Sequence, residues 1–99
     1  MSKNIAYGHG HNFRDCGMQC GTVAVTPTAN DVTKQWVEFP EEFAEVPDIV
    51  IVSPQTSVPY THVRTVSANN YEVGGFNLYM YRTSATTTNV SWIAFGKLK

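Results

Sequence analysis

The chain has little charge, and none of it is clustered. Seven Lys and Arg stand against eight Asp and Glu, for a net charge of −1. With no basic patch, phosphate-driven nucleic-acid binding is disfavoured. Only 15% of residues are charged while 12% are aromatic, which points to surface buried against another subunit. No apolar stretch approaches the about 20 residues a membrane helix needs, so no membrane insertion is expected. The first ten residues, MSKNIAYGHG, lack the apolar core of a secretory signal, and synthesis in the cytoplasm is the expectation. Two cysteines, Cys16 and Cys20, are too few for a disulfide scaffold. Leucine occurs only as Leu78 and Leu98, and no long helical period is present.

Val and Thr take leucine's place, and both are stiff at χ1 and suited to a pleated, half-buried surface. At 99 residues and 42% hydrophobic content, the chain makes one globular domain with one core. Six short runs bounded by Pro, Gly, Asn or polar loops read as strands, over residues 22–26, 33–39, 48–53, 62–67, 76–82 and 88–95. The cleanest alternation is in the fifth, where Phe76, Leu78 and Met80 share one face and Asn77, Tyr79 and Tyr81 the other. The sixth sets Val90, Trp92 and Ala94 against Ser91, Ile93 and Phe95. Between the second and third, PEEFAEVP reads as a connector with Phe43 tucked onto the core. The third, DIVIVS, is apolar on both faces, which in a two-layer fold calls for a partner outside. ANNYEVGG reads as turn material, with Gly74 and Gly75 available for positive φ. Trp36 and Trp92 are expected in the core. Residues 1–19 are Gly-rich and aperiodic and read as an irregular N-terminal arm; residues 20–99 form the sandwich.

The ordered set VEF, FAEVP, DIVIV, GGF and SWIAFG, over about residues 20–97, resembles the H-type lectin domain. VSPQTSVPYT and YRTSATTT look closest to its phage tail-fibre and virion structural branch. The resemblance implies an all-β, six-stranded antiparallel β-sandwich that forms a trimer, sometimes a hexamer. It implies a virion protein made in the host cytoplasm, acting in attachment or assembly with other virion proteins. A free-standing soluble lectin that binds a cell-surface glycan is the alternative. In sugar-binding members an Asp of the first loop and an Arg of strand four join aromatic and His side chains of the loop before the last strand. Asp31 and Arg64 stand near those positions, while that last loop, SATTTN, has neither Trp nor His.

Tyr79 and Tyr81 present amphipathic rings suited to a sugar platform or to trimer packing. With Asp31, Arg64 and Arg82 they make up the candidate ligand set. His9 and His11 project to one side of an extended segment. Three chains about a threefold axis would supply six imidazoles, enough for an octahedral transition metal such as iron. The alternative is a solvated arm. Cys16 and Cys20 could join the histidines around zinc, or stay reduced in a packed arm. No enzyme is expected. There is no GxSxG elbow, and Glu41 and Glu42 read as a solvated turn rather than an acid/base pair.

Overall fold

The computed structural model describes residues 17–57 and 62–99. Its six strands are β1 (Gly17–Val25), β2 (Asp31–Glu38), β3 (Ile49–Pro54), β4 (Val63–Glu72), β5 (Gly75–Arg82) and β6 (Thr88–Gly96). They form two three-stranded antiparallel sheets, ordered β1–β6–β3 and β2–β5–β4. The chain changes layer at each of its first three connections. This is the all-β, six-stranded antiparallel sandwich expected from the sequence.

Period-2 alternation sets the inner faces. Val25, Val50, Val90, Trp92 and Ala94 face inward from one sheet, and Val37, Phe76, Leu78 and Met80 from the other. Aromatic rings fill one end of the core. Phe39 meets Phe43 edge-on at a centroid distance of 5.0 Å and lies 5.5 Å from Trp92, which in turn lies 5.8 Å from Phe76. The edge-to-face contacts among them suit the ring quadrupoles. Phe43 arrives from the connector, as expected. The backbone N–H of Phe43 donates to the Val73 carbonyl, and that of Ala44 to the Lys97 carbonyl. The connector thus crosses between the layers and closes this end of the sandwich.

Several boundaries differ from the alternation. The first strand begins at Gly17, so residues 17–19, assigned above to the arm, belong to β1. The cause is pairing with β6, Gly17 opposite Gly96, and a two-point clamp by Gln19. The Gln19 side-chain amide donates to the Glu41 carbonyl at 2.8 Å and accepts from the Glu41 N–H at 3.0 Å. Gly17 and Gln19 carry no apolar signal, so the strand start is silent in the sequence.

The fourth strand runs on through ANNYE, read above as a turn. An irregularity between Asn69 and Glu72 absorbs the polar residues, with Asn70 at φ 54°. Asn tolerates that left-handed conformation better than most residues. Positive φ therefore falls at Asn70 rather than at Gly74 or Gly75. Trp36 is also not core. It stands on the outer face of β2 and is 43% exposed, while Trp92 is only 6% exposed, as expected.

Candidate functional site

The two outer sheet faces differ in chemistry. On β1–β6–β3 the outward residues form rows across three strands. Met18, Phe95 and Ile49 make one row, and Cys20, Ile93 and Ile51 the next. Met18, Ile49 and Ile51 are 58%, 49% and 53% exposed. No Asp, Glu, Lys or Arg stands among the outward residues of these strands. The polar rows that follow are partly bonded within the face, around Ser91. The Gln55 side-chain amide donates to Ser91 Oγ at 2.6 Å, and Thr22 Oγ1 lies 3.5 Å from the same hydroxyl. Covering this face would strand few polar groups, which is where burial is costly.

The outer face of β2–β5–β4 is aromatic and amide-rich. Trp36, Asn77 and Asn69 form one row, Lys34, Tyr79 and Ser67 the next, and Val32, Tyr81 and Thr65 a third. Tyr79 Oη donates to Asn70 Oδ1 at 3.0 Å. Both tyrosines are half-buried, and their side chains point outward as the alternation predicts.

Among the described residues the outer edges of β1 and β2 are unpaired, and the sandwich is open between them. A groove of about 350 Å³ there is lined by Gly21, Val23, Trp36, Glu38, Pro40 and Trp92, among others. Gly21 stands beside the Trp92 indole, and a Cβ on it would lie 2.9 Å from Trp92 Cζ2.

The candidate ligand residues do not converge on one pocket. Asp31 and Arg82 are register partners across β2 and β5, and Val63 completes their row on β4. Arg64 follows Val63 at a register shift in β4. Asp31 is exposed, and its Oδ1 accepts from the N–H of Val32 at 2.8 Å. Arg82 is only 7% exposed. Its Nε donates to Ser84 Oγ at 3.1 Å and its Nη1 to Thr88 Oγ1 at 3.0 Å. Thr88 Oγ1 in turn donates to the Thr86 carbonyl at 3.0 Å. Arg82 therefore organises the loop between β5 and β6 from inside. Tyr79 and Tyr81, of opposite parity along β5, lie on the other side of the sheet from Arg82.

His9, His11 and Cys16 lie outside the described residues. Cys20 is a free, exposed thiol on the aliphatic face. Among the described residues no cluster of three His, Cys, Asp or Glu could hold a metal. Trp36 on the outer face is the residue that the sequence reading missed. Its alternation with Val37 carried the signal, because Val37 faces the core and its neighbours must face away.

No family model matches the chain, and no curated protein matches it either. Solved structures do. The chain is similar to part of the R1 pyocin fibre of P. aeruginosa, in a structure of its C-terminal residues 323–701, with a TM-score of 0.65 and 15% identity. That match covers 80% of this chain and 22% of the fibre fragment. It is also similar to part of the tailspike of Pseudomonas phage phi297, with a TM-score of 0.57 and 18% identity, over 81% of this chain and 15% of the tailspike chain. The fold is thus one found in phage-type tail fibres and tailspikes, and the chain spans under a quarter of the length of either.

Proposed function

We propose that the chain is a virion structural module of the phage tail-fibre kind, H-type lectin-like in fold, that works by assembly and attachment rather than catalysis. It forms a homotrimer through the outer face of β1–β6–β3. The observation that carries this reading is the uncharged aliphatic face, with Met18, Ile49 and Ile51 each about half exposed. Large exposed apolar patches on soluble proteins mark contact sites. Further copies of the chain are a natural cover, because uncharged faces gathered about a threefold axis meet without like-charge repulsion. The fibre and tailspike folds support the virion setting. The rest of the surface is left for other virion proteins or a host glycan.

Light scattering on the purified protein tests this. A mass near three times the 11.0 kDa chain is expected at micromolar concentration, and Ile51→Lys should reduce it to the monomer without loss of β-type circular dichroism. A wild-type monomer at that concentration would sink the reading. Ile51→Lys is suitable because its side chain points away from the core, so the fold should survive.

The second reading is a free-standing glycan-binding lectin. The aromatic and amide face of β2–β5–β4 favours it, since such groups suit a sugar's apolar face and its hydroxyls.

A further inference from the structure

The outer strand edges of the sandwich are not equally protected. β2 carries Asp31, Lys34 and Glu38, β3 is only six residues long and ends in Pro54, and the register of β4 shifts at two places. Charge, brevity, proline and irregularity each discourage a further strand from pairing. β1 has none of them. Its nine residues, GMQCGTVAV, are uncharged and free of proline, and its register with β6 runs unbroken from Gly17 to Val25. Among the described residues no strand pairs with its outer edge. Alternate residues of such an edge present N–H and C=O groups that an added strand can take up.

The two sides of the sandwich differ in the same sense. On one side β3 and β4 meet, where Val52, Val66 and Tyr71 pack against the core and Tyr71 Oη donates to the Val50 carbonyl at 3.5 Å. On the other, β1 and β2 leave the groove described above. The Trp92 indole lines it and is only 6% exposed, yet among the described residues its N–H forms no hydrogen bond. A buried indole N–H usually has a partner, and leaving one unpaired is costly. Gly21 keeps this group uncovered, since a Cβ there would lie 3.0 Å from Trp92 Nε1.

On the β2 side the groove is lined by Trp36 and Glu38. Trp36 is seated against β5 by Gly75, where a Cβ would lie 2.6 Å from Trp36 Cζ2. Glu38 is the one charged residue of the lining, and the one salt bridge among the described residues joins Lys99 to Glu42 instead. The Gln19 clamp on Glu41 bridges one end of the gap. Beyond it lie residues 20–25 of β1, about 20 Å of free edge at the usual rise of a strand.

We propose that the β1 edge and this groove receive an extended segment of a different protein by strand addition. The segment pairs its main chain with β1. One inward side chain brings a hydroxyl or carboxamide oxygen to the Trp92 N–H, and a Lys or Arg meets Glu38. Two copies of this chain paired edge to edge through β1 would bring together two Glu38 carboxylates and no cation, so a basic segment of another chain is the better complement. This rests on the assembly role proposed above and adds where another virion protein docks and by what chemistry.

The test selects a library of random ten-residue peptides against the full chain and synthesises the strongest binders. They should lack proline and carry Lys or Arg. On binding, amide hydrogen exchange should slow across residues 20–25 and stay unchanged at β3 and β4. Glu38→Gln, an exposed change that should keep the β-type circular dichroism, should weaken binding about tenfold. N-methylation of one alternate set of peptide amides should abolish binding while the other set is tolerated, as strand pairing requires. An empty selection, binders indifferent to both changes, or protection on another face overturns the proposal. Binding seen only after removal of residues 1–16 would give the groove to the chain's own N-terminal segment, and dissociation of the oligomer by the peptide would give it to a second copy; either result overturns it too. Failure here with a trimer still seen by light scattering leaves the assembly role standing.

Discussion

At the scale of single residues, side chains of one type take opposite roles according to what the neighbouring strand offers. Trp92 and Trp36 are both strand tryptophans. Trp92 points into the core, meets Phe39 and Phe76, and is accommodated by Gly21. Trp36 points out and is accommodated by Gly75. Each tryptophan depends on a glycine from another strand, a pairing that no local sequence window contains. Truncating Trp92 removes the largest ring from the centre of the aromatic cluster. Trp92→Ala is expected to cost about 3–5 kcal/mol, a large share of the stability of a domain this small. Thermal melting followed by circular dichroism checks it. A variant that melts with wild type would mean that the ring contributes nothing to the core.

At the scale of elements, the first strand shows how far a strand can run beyond its apolar signal. Val23 and Val25 announce β1, but its start at Gly17 is held by main-chain pairing to β6 and by the Gln19 clamp on Glu41. Each of those side-chain bonds replaces one to water, so their net worth is about 0.5–1.5 kcal/mol apiece. Two truncations separate arm from strand. Removal of residues 1–16 should leave the melting temperature of the sandwich unchanged. Removal of residues 1–19 should lower it, and Gln19→Ala in the full chain should account for part of the difference. An equal loss from both truncations would mean that the first sixteen residues also hold the fold. β4 makes the complementary point. Its polar ANNYE stretch looks like a turn, yet it is carried as strand by β5, with the strain taken up at Asn70.

For the whole molecule, the decisive asymmetry is between the two outer faces. One is apolar and uncharged, with its polar groups bonded around Ser91; the other carries Trp, Tyr, Asn and Lys. The apolar residues on both sides of β3 already called for a partner, because Val50 turns inward while Ile49 and Ile51 are left outside. If the aliphatic face joins copies of the chain, folding and association are linked. The melting temperature should then rise with protein concentration. Melts over a hundredfold concentration range check this, and a flat series would argue for a monomer that folds alone.

What the sequence alone determined is the set of residues that share a face. Alternation places Phe76, Leu78 and Met80 opposite Asn77, Tyr79 and Tyr81, and Val90, Trp92 and Ala94 opposite Ser91, Ile93 and Phe95, as found. It also placed Phe43 in the core, since Phe in a Pro-bounded connector has few other places to bury itself. What only the tertiary structure decided is which strand lies beside which, and therefore what each face meets. Arg82 looked like a surface ligand group, but its parity on β5 turns it inward to the hydroxyls of Ser84 and Thr88. Asp31 and Arg82 became partners through the register of β2 and β5, while the tyrosines were left on the far side. The physical reason is that a period of two is a local property of one strand. Strand order, register and the glycine that makes room for an indole come from distant segments, and only their meeting in space fixes them.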